Sequence, residues 1–268
     1  MSSNTRHSAV LQDLRTRLRQ IDRSGAQPLG AGAPYSTGVA GLDALLPVDT
    51  FRAGMIIEWI VEGAGVGAAR LALPMAMQAL QTGGSLVVID DRREFYPPAA
   101  VPLGLDLERT IVVRPCNLQE TMWALEQSLR CAGVAATLGW IDKIPDRVFR
   151  RLQLAAEHGA GLGLLVRPIA ARHEPTWADL RWLVQSLPGS GGFSPGRNAA
   201  SPMQVESVWP GLDDAGRATG RRLRVELLHC RGGAGGRVVT LEISDETGAV
   251  LVVSPVGAPA NLPRATGA

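Results

Sequence analysis

The chain has 268 residues, 46% of them apolar and 19% charged, and a formal net charge of +2 at pH 7. That balance is too small to argue for nucleic acid by itself, and no apolar run reaches the ~18 residues a bilayer span needs, so a membrane partner is not expected. The N-terminus is polar and arginine-bearing, and Cys116, Cys131 and Cys230 are odd in number and widely spaced, which fits a cytoplasmic protein with reduced thiols rather than a disulfide framework or zinc site.

Residues 8–23 place Leu11, Leu14, Leu18 and Ile21 on one helical stripe, and Arg15, Arg17, Arg19 and Arg23 outnumber Asp13 and Asp22 on the remainder. This basic amphipathic helix either packs on its own domain or forms a detached arm that binds a partner protein or a neighbouring subunit. The Gly/Pro/Ala-rich stretch Gly25–Pro34 reads as a linker, which sets residues 1–34 apart from a core over 35–256 and a disordered tail over 257–268. Within the core, Ser36 or Thr37 is expected to cap a short helix that Pro47 closes.

Ile56–Val61 is a short, mostly buried strand, since five of its six residues are apolar. A turn with Gly63, Gly65 and Gly67 follows. Ala68, Leu71, Ala72, Met75, Ala76, Ala79 and Leu80 then recur at helical spacing, stopped by Gly83-Gly84, and Ser85–Asp90 is a second buried strand. Further strands are expected at Thr110–Arg114, Ala135–Ile141 and Leu162–Val166. The helices between them are Leu118–Arg130, with Asn117 as cap and Glu120 three residues on, and Pro145–His158. Trp123, Trp140, Trp177 and Trp182 sit in such patterns and read as core. This alternation indicates an α/β fold, a mostly parallel sheet covered by helices on both faces, with ligands at the carboxyl ends of the strands. From Pro188 the texture changes: residues 188–220 form a long, flexible Gly/Ser/Pro-rich loop, within which Gln204–Trp209 reads as an antiparallel strand. Arg221–Cys230, Arg237–Ile243 and Val250–Ser254 then alternate as antiparallel strands, with a hairpin turn at Arg231–Arg237.

Strand, Gly-rich turn and helix form the frame in which a P-loop holds phosphate on backbone N–H groups at a helix N-terminus. The working residues of such a loop, a lysine for the β- and γ-phosphates and a hydroxyl for Mg²⁺, are absent: Ala68 and Ala69 stand there, followed by Arg70. Lys143 is the chain's single lysine, so none substitutes easily. Gly63, Gly65, Gly67, Ala68, Ala69 and Arg70 therefore outline a vestigial phosphate loop. Its glycines either present N–H groups to an anion or merely let the helix start tight against the sheet.

Four pieces in order carry a resemblance to the RecA recombinase core: Ser36-Thr37-Gly38 with Leu42-Asp43, the Gly67 turn with Val88-Ile89-Asp90 beyond it, Leu103-Gly104-Leu105-Asp106, and the strand at Thr110. The stretch from Ser36 to Val166 is thus similar to a RecA-like P-loop core. Ala132–Ile141, Arg150–Glu157 and Val225–Leu228 into Arg231-Gly232-Gly233 look more narrowly like the ImuA-type RecA-like proteins, a group also called SulA-like, whose members are themselves degenerate at the P-loop. That resemblance implies damage-induced (SOS) mutagenesis and translesion synthesis. The implied role is a non-catalytic adaptor whose partners are an ImuB-like polymerase homologue, an error-prone replicative-type polymerase and, as a further candidate, RecA. It also implies that the water-orienting glutamate of RecA is matched by Arg92, and that the Mg²⁺ ligand at the end of the fourth strand has Asp142 as its nearest counterpart. Arg197, Arg217, Arg221, Arg222 and Arg231 are the candidates for contact with DNA or a partner; the N-terminal stripe Leu11, Leu14, Leu18 and Ile21 is the partner helix. No cofactor is required by this reading, although ATP binding stays open. The competing readings are a divergent RecA-like ATPase acting on single-stranded DNA and a SulA-like inhibitor of cell division.

Overall fold

The structure is a computed structural model that describes residues 35–48, 50–63, 65–187, 220–244 and 250–257, with the side chains of 254–257 excepted. The expected N-terminal helix and linker, the expected loop after residue 187 with Gln204–Trp209, and the expected tail beyond Gly257 lie outside the described residues.

One nine-stranded sheet runs through the molecule: β1 Ile56–Val61, β2 Ser85–Ile89, β3 Thr110–Val113, β4 Val134–Trp140, β5 Leu162–Pro168, β6 Leu180–Leu187, β7 Gly220–Cys230, β8 Arg237–Ser244 and β9 Val250–Gly257, in the order β3-β2-β4-β5-β1-β6-β7-β8-β9. The strands from β3 to β6 pair in parallel, and β6 to β9 pair antiparallel. The expected parallel sheet with antiparallel strands on its C-terminal side is therefore present. The addition is β6, which the sequence reading left unassigned.

Each layer follows from residue spacing. α2 (Ala68–Leu80) buries Ala68, Leu71, Ala72, Met75, Ala76, Ala79 and Leu80 against one face, where α1 (Ala40–Asp43) and the inward residues of β7 and β8 extend the same core. On that face Trp59 and Trp182 are directly paired across β1 and β6 and stack at 5.9 Å. The opposite face is covered by α3 (Leu118–Arg130) and α4 (Asp146–Gly159), which pack Met122, Leu125, Leu129, Phe149, Leu152 and Ala156 onto Ile56, Val87, Ile89 and Leu165. Asn117 caps α3 as expected, its side chain accepting from the Glu120 N–H at 2.9 Å, and Glu120 reaches back to the Cys116 N–H at 2.9 Å.

Two local expectations are corrected. Val39, not Ser36 or Thr37, is the N-cap of α1 and its side chain makes no capping bond. Instead Asp43 reaches back, accepting from the Thr37 N–H and the Ser36 hydroxyl at 2.7 Å each, because a single helical turn leaves its carboxylate within reach of the entering chain. Trp177 is 39% exposed rather than core: it lies outside the strands, donating to Asp146 at 2.9 Å beneath the Arg150 guanidinium.

Candidate functional site

The Gly-rich turn leaves β1 at the carboxyl end of the sheet and enters α2 through Gly67, whose φ of 97° belongs to the left-handed region that glycine tolerates; Gly65 has φ 73°. Among the described residues, a side-chain carbon at Gly63 or Gly65 would meet nothing within 4 Å, so the outer side of the turn is open to them. No side chain caps the first turn of α2, which leaves its leading amides and the positive end of the helix facing outward. Arg70 is half-buried, and among the described residues its Nε has no hydrogen-bond partner. The floor is apolar: a carbon added at Gly67 would lie 3.6 Å from Leu223 and 3.8 Å from Ile243. Ala68, where a P-loop lysine would stand, is buried in the core.

The turn is also held from the antiparallel side. Arg221 donates to the Gly65 carbonyl at 2.7 Å. Gln185 donates to Glu62 at 2.6 Å while accepting from Arg224 at 2.7 Å, so one hydrogen-bonded chain links β7, β6 and the end of β1.

Beyond β2 and β4, which are neighbours through the pair Ile89–Gly139, Arg92 forms an ion pair with Asp142. The bond to Asp142 holds the Arg92 guanidinium above its ordinary range, with burial opposing it weakly. Asp142 lies past the end of β4, which closes at Trp140, and its charge is engaged by Arg92. These residues do not fit Mg²⁺-dependent nucleotide hydrolysis. Where the resemblance would place an ammonium, a hydroxyl and a water-orienting carboxylate stand two methyl groups and a guanidinium, and Asp142 is paired to that guanidinium. Among the described residues no cluster of three or more His, Cys, Asp or Glu could hold a metal ion. What the turn retains is the capacity to meet an anion.

The remaining site residues separate. Arg221 and Arg222 stand at the start of β7, level with the carboxyl end of β6, and Arg222 is paired with Glu242 at 2.9 Å. Arg231 is at the other end of β7, beside the start of β6, where it pairs with Asp179 at 3.1 Å and Glu157 at 3.6 Å. The Asp179 bond raises its pKa, and Asp179 in turn accepts from the Ile56 N–H at 2.9 Å. Arg231 thus clamps the entry of β6 and does not share a surface with Arg221. Arg197, Arg217, Leu11, Leu14, Leu18 and Ile21 lie outside the described residues.

The sequence reading missed a buried charge network beneath the site. Glu58 on β1 is fully buried and accepts from Arg167 at 2.7 Å and Arg181 at 2.6 Å, both on the strands flanking β1, and from the Thr176 hydroxyl at 2.6 Å. Arg167 continues to Glu174 at 2.6 Å, and Arg181 donates to the Arg172 and Glu174 carbonyls at 3.1 and 2.9 Å. The available signal was one acid within an otherwise apolar strand.

No protein-family model matches the sequence. Over 154 residues the chain is 33% identical to Protein ImuA of Caulobacter vibrioides, covering 58% of this chain and 59% of that protein. It is also 33% identical over 164 residues to Protein RecA of Rhodopirellula baltica, covering 58% of this chain and 43% of that one. A shorter match, 26% over 112 residues, reaches Cell division inhibitor SulA of Photorhabdus laumondii, covering 42% of this chain and 63% of that protein. The chain therefore spans less than two thirds of each of these relatives. The crystal structure of the RadB recombinase superposes with a TM-score of 0.54 over 80% of this chain and 97% of that one at 17% identity, a likeness of fold. Among the described residues no helix is long and apolar enough to cross a membrane. The chain has a RecA-like fold, shared with the recombinase, and its sequence is similar to ImuA and RecA over the matched residues.

Proposed function

We propose that the chain is a non-catalytic RecA-like adaptor in DNA damage tolerance. It would act in the cytoplasm during SOS mutagenesis and translesion synthesis, bridging an ImuB-like polymerase homologue and an error-prone replicative-type polymerase, with RecA and DNA as further contacts. One observation carries the reading: the recombinase frame is intact while Ala68, Ala69 and the Arg92–Asp142 pair replace the groups that cleave a triphosphate. The similarity to ImuA supports the pathway. Purified protein is expected to release no phosphate from Mg²⁺-ATP above a protein-free blank, with or without single-stranded DNA. Ala68→Lys with Ala69→Ser is expected to stay at the blank as well, because Arg92 still occupies the water-orienting position. Turnover at rates typical of recombinases in the unaltered chain would overturn the reading. The bridging role predicts co-purification with an ImuB-like polymerase homologue and its loss on removing residues 1–30; unchanged recovery would remove the docking role of the N-terminal stripe.

A second reading, nucleotide binding by a divergent ATPase that engages single-stranded DNA, is favoured by the open glycines, the uncapped α2 and the Arg70 guanidinium. Stoichiometric ATP binding abolished by Arg70→Ala, together with DNA-stimulated turnover, would select it. Inhibition of cell division, drawn from the name of the SulA relative, ranks last, since no residue of this chain points to a division protein.

A further inference from the structure

We propose that β9 is a self-association edge: two copies of this chain pair through their β9 strands, antiparallel about a two-fold axis at Val252, so that two sheets become one. The strand ends the sheet order and, among the described residues, pairs with β8 alone. The backbone N–H and C=O groups of its outer side therefore have no strand partner within the chain as described. The proposal does not depend on the adaptor reading.

Three observations select a second copy as the occupant. The exposed side chains are apolar on both faces: Leu251, Val252 and Val253 are 59%, 48% and 42% exposed, and successive residues of a strand point to opposite sides. Val252 is on the α1 side, where a carbon added at Gly41 would lie 2.9 Å from it, so Leu251 and Val253 are on the other. A helix laid on one face would leave the other apolar and the edge groups unbonded, whereas an added strand meets both. The strand is also free of charge. Val250–Gly257 contains no Asp, Glu, Lys or Arg, and Glu242, opposite Leu251 on β8, is paired with Arg222 at 2.9 Å. Like charges facing one another are what keep identical edges apart, and β9 has none. Finally, β9 complements itself in one register. About an axis at Val252, that residue meets its own copy, and Leu251 meets the Val253 of the second chain, so the three exposed side chains cover one another.

The contact is bounded along the strand. Pro255 has no N–H to donate, and the β8–β9 register shifts between Val238 and Thr240 and again between Thr240 and Leu241, so the edge is blunted towards Gly257. The paired segment is then Val250–Ser254. A ribbon this short buries much less than the ~1,600 Å² of a standard interface, so the dimer is weak, with a Kd on the order of 10–100 µM.

Sedimentation equilibrium of the full chain is the test. The mass is expected to rise from one chain at about 1 µM towards two at about 300 µM and to stop there, because a two-fold contact closes on itself. Leu251→Lys with Val253→Lys is expected to stay monomeric throughout with its circular dichroism unchanged, since both side chains are exposed. Leu251→Glu with Val253→Glu should also be monomeric, and an equimolar mixture of the two double variants should regain the dimer, each Lys then facing a Glu of the other chain. A merely structural effect of the substitutions would not be reversed by mixing. Val48→Lys, at a 90% exposed apolar residue away from the edge, should associate as the unaltered chain does. A mass that stays at one chain would overturn the proposal, β9 then being covered by residues of its own chain. Association untouched by the Lys pair, no recovery on mixing, or growth beyond two chains would each overturn it as well.

Discussion

Glu58→Ala is expected to destabilise the protein by about 3–5 kcal/mol, lowering the thermal midpoint by roughly 10 °C, because it leaves two buried guanidinium groups facing an empty space. Arg167 and Arg181 are 1% and 5% exposed, and each donates to the Glu58 carboxylate, at 2.7 and 2.6 Å. Arg167 also keeps Glu174, which is 37% exposed and solvated, so it would retain part of its compensation. Arg181 would keep only carbonyl acceptors. Glu58→Gln separates the two contributions: it preserves the shape and some hydrogen bonding but removes the charge, and should cost less than the alanine. Replacing Glu58, Arg167 and Arg181 together with Leu, Met and Met should recover much of the loss, since a well-packed apolar set of similar volume often equals a buried ion network. A loss below ~1 kcal/mol for Glu58→Ala in denaturant unfolding would contradict the burial of this carboxylate.

The same network explains why part of the fold was hard to read. Alternating apolar runs made β1 to β5 and their helices visible, because a strand covered on both faces must be apolar along its length. β6 obeys the same physics but carries Arg181, which a local reading treats as a surface residue. It is tolerated only because Glu58, 123 residues earlier, meets it across the sheet. Beyond the reach of α3 and α4 on this face, the short 3₁₀ helix at Ile169–His173 covers β1 and β6, with Ile60, Ala171 and Leu183 as a small apolar patch and the charges filling the rest. Such an arrangement has no periodic signature.

At the candidate site, composition revealed what was missing but not what replaced it. The absence of lysine at position 68 is visible in the sequence, as is an arginine at 92. That Arg92 and Asp142 neutralise each other depends on β2 lying beside β4, which no local pattern records. Arg231 shows a separation that residue spacing alone does not convey. The sequence reading grouped it with Arg221 and Arg222 for contact with DNA or a partner. Ten residues of extended chain, however, carry it roughly 30 Å from Arg221 at ~3.3 Å per residue, to the opposite end of the sheet.

Gly159→Ala is expected to cost about 3 kcal/mol or more and to loosen the whole helical layer on the α3–α4 face. Gly159 is the last residue of α4, and a carbon added there would fall on the Leu129 carbonyl oxygen, with the Arg130 carbonyl carbon and oxygen at 2.8 and 2.9 Å. These are backbone atoms at the end of α3, so no rotamer change can relieve the contact; the two helices must separate. Separation would withdraw Leu125, Leu129, Phe149 and Leu152 from the strands they cover, so the strain would be paid over many contacts rather than one. Gly63→Ala is the matched control: a carbon there meets nothing within 4 Å and its backbone is not in the left-handed region, so the change should stay within ~0.5 kcal/mol. Chemical denaturation of the two variants side by side, with tryptophan emission as the probe, reads the difference directly. Equal midpoints would show that α3 and α4 do not meet backbone to backbone, and the second core would then need a different account.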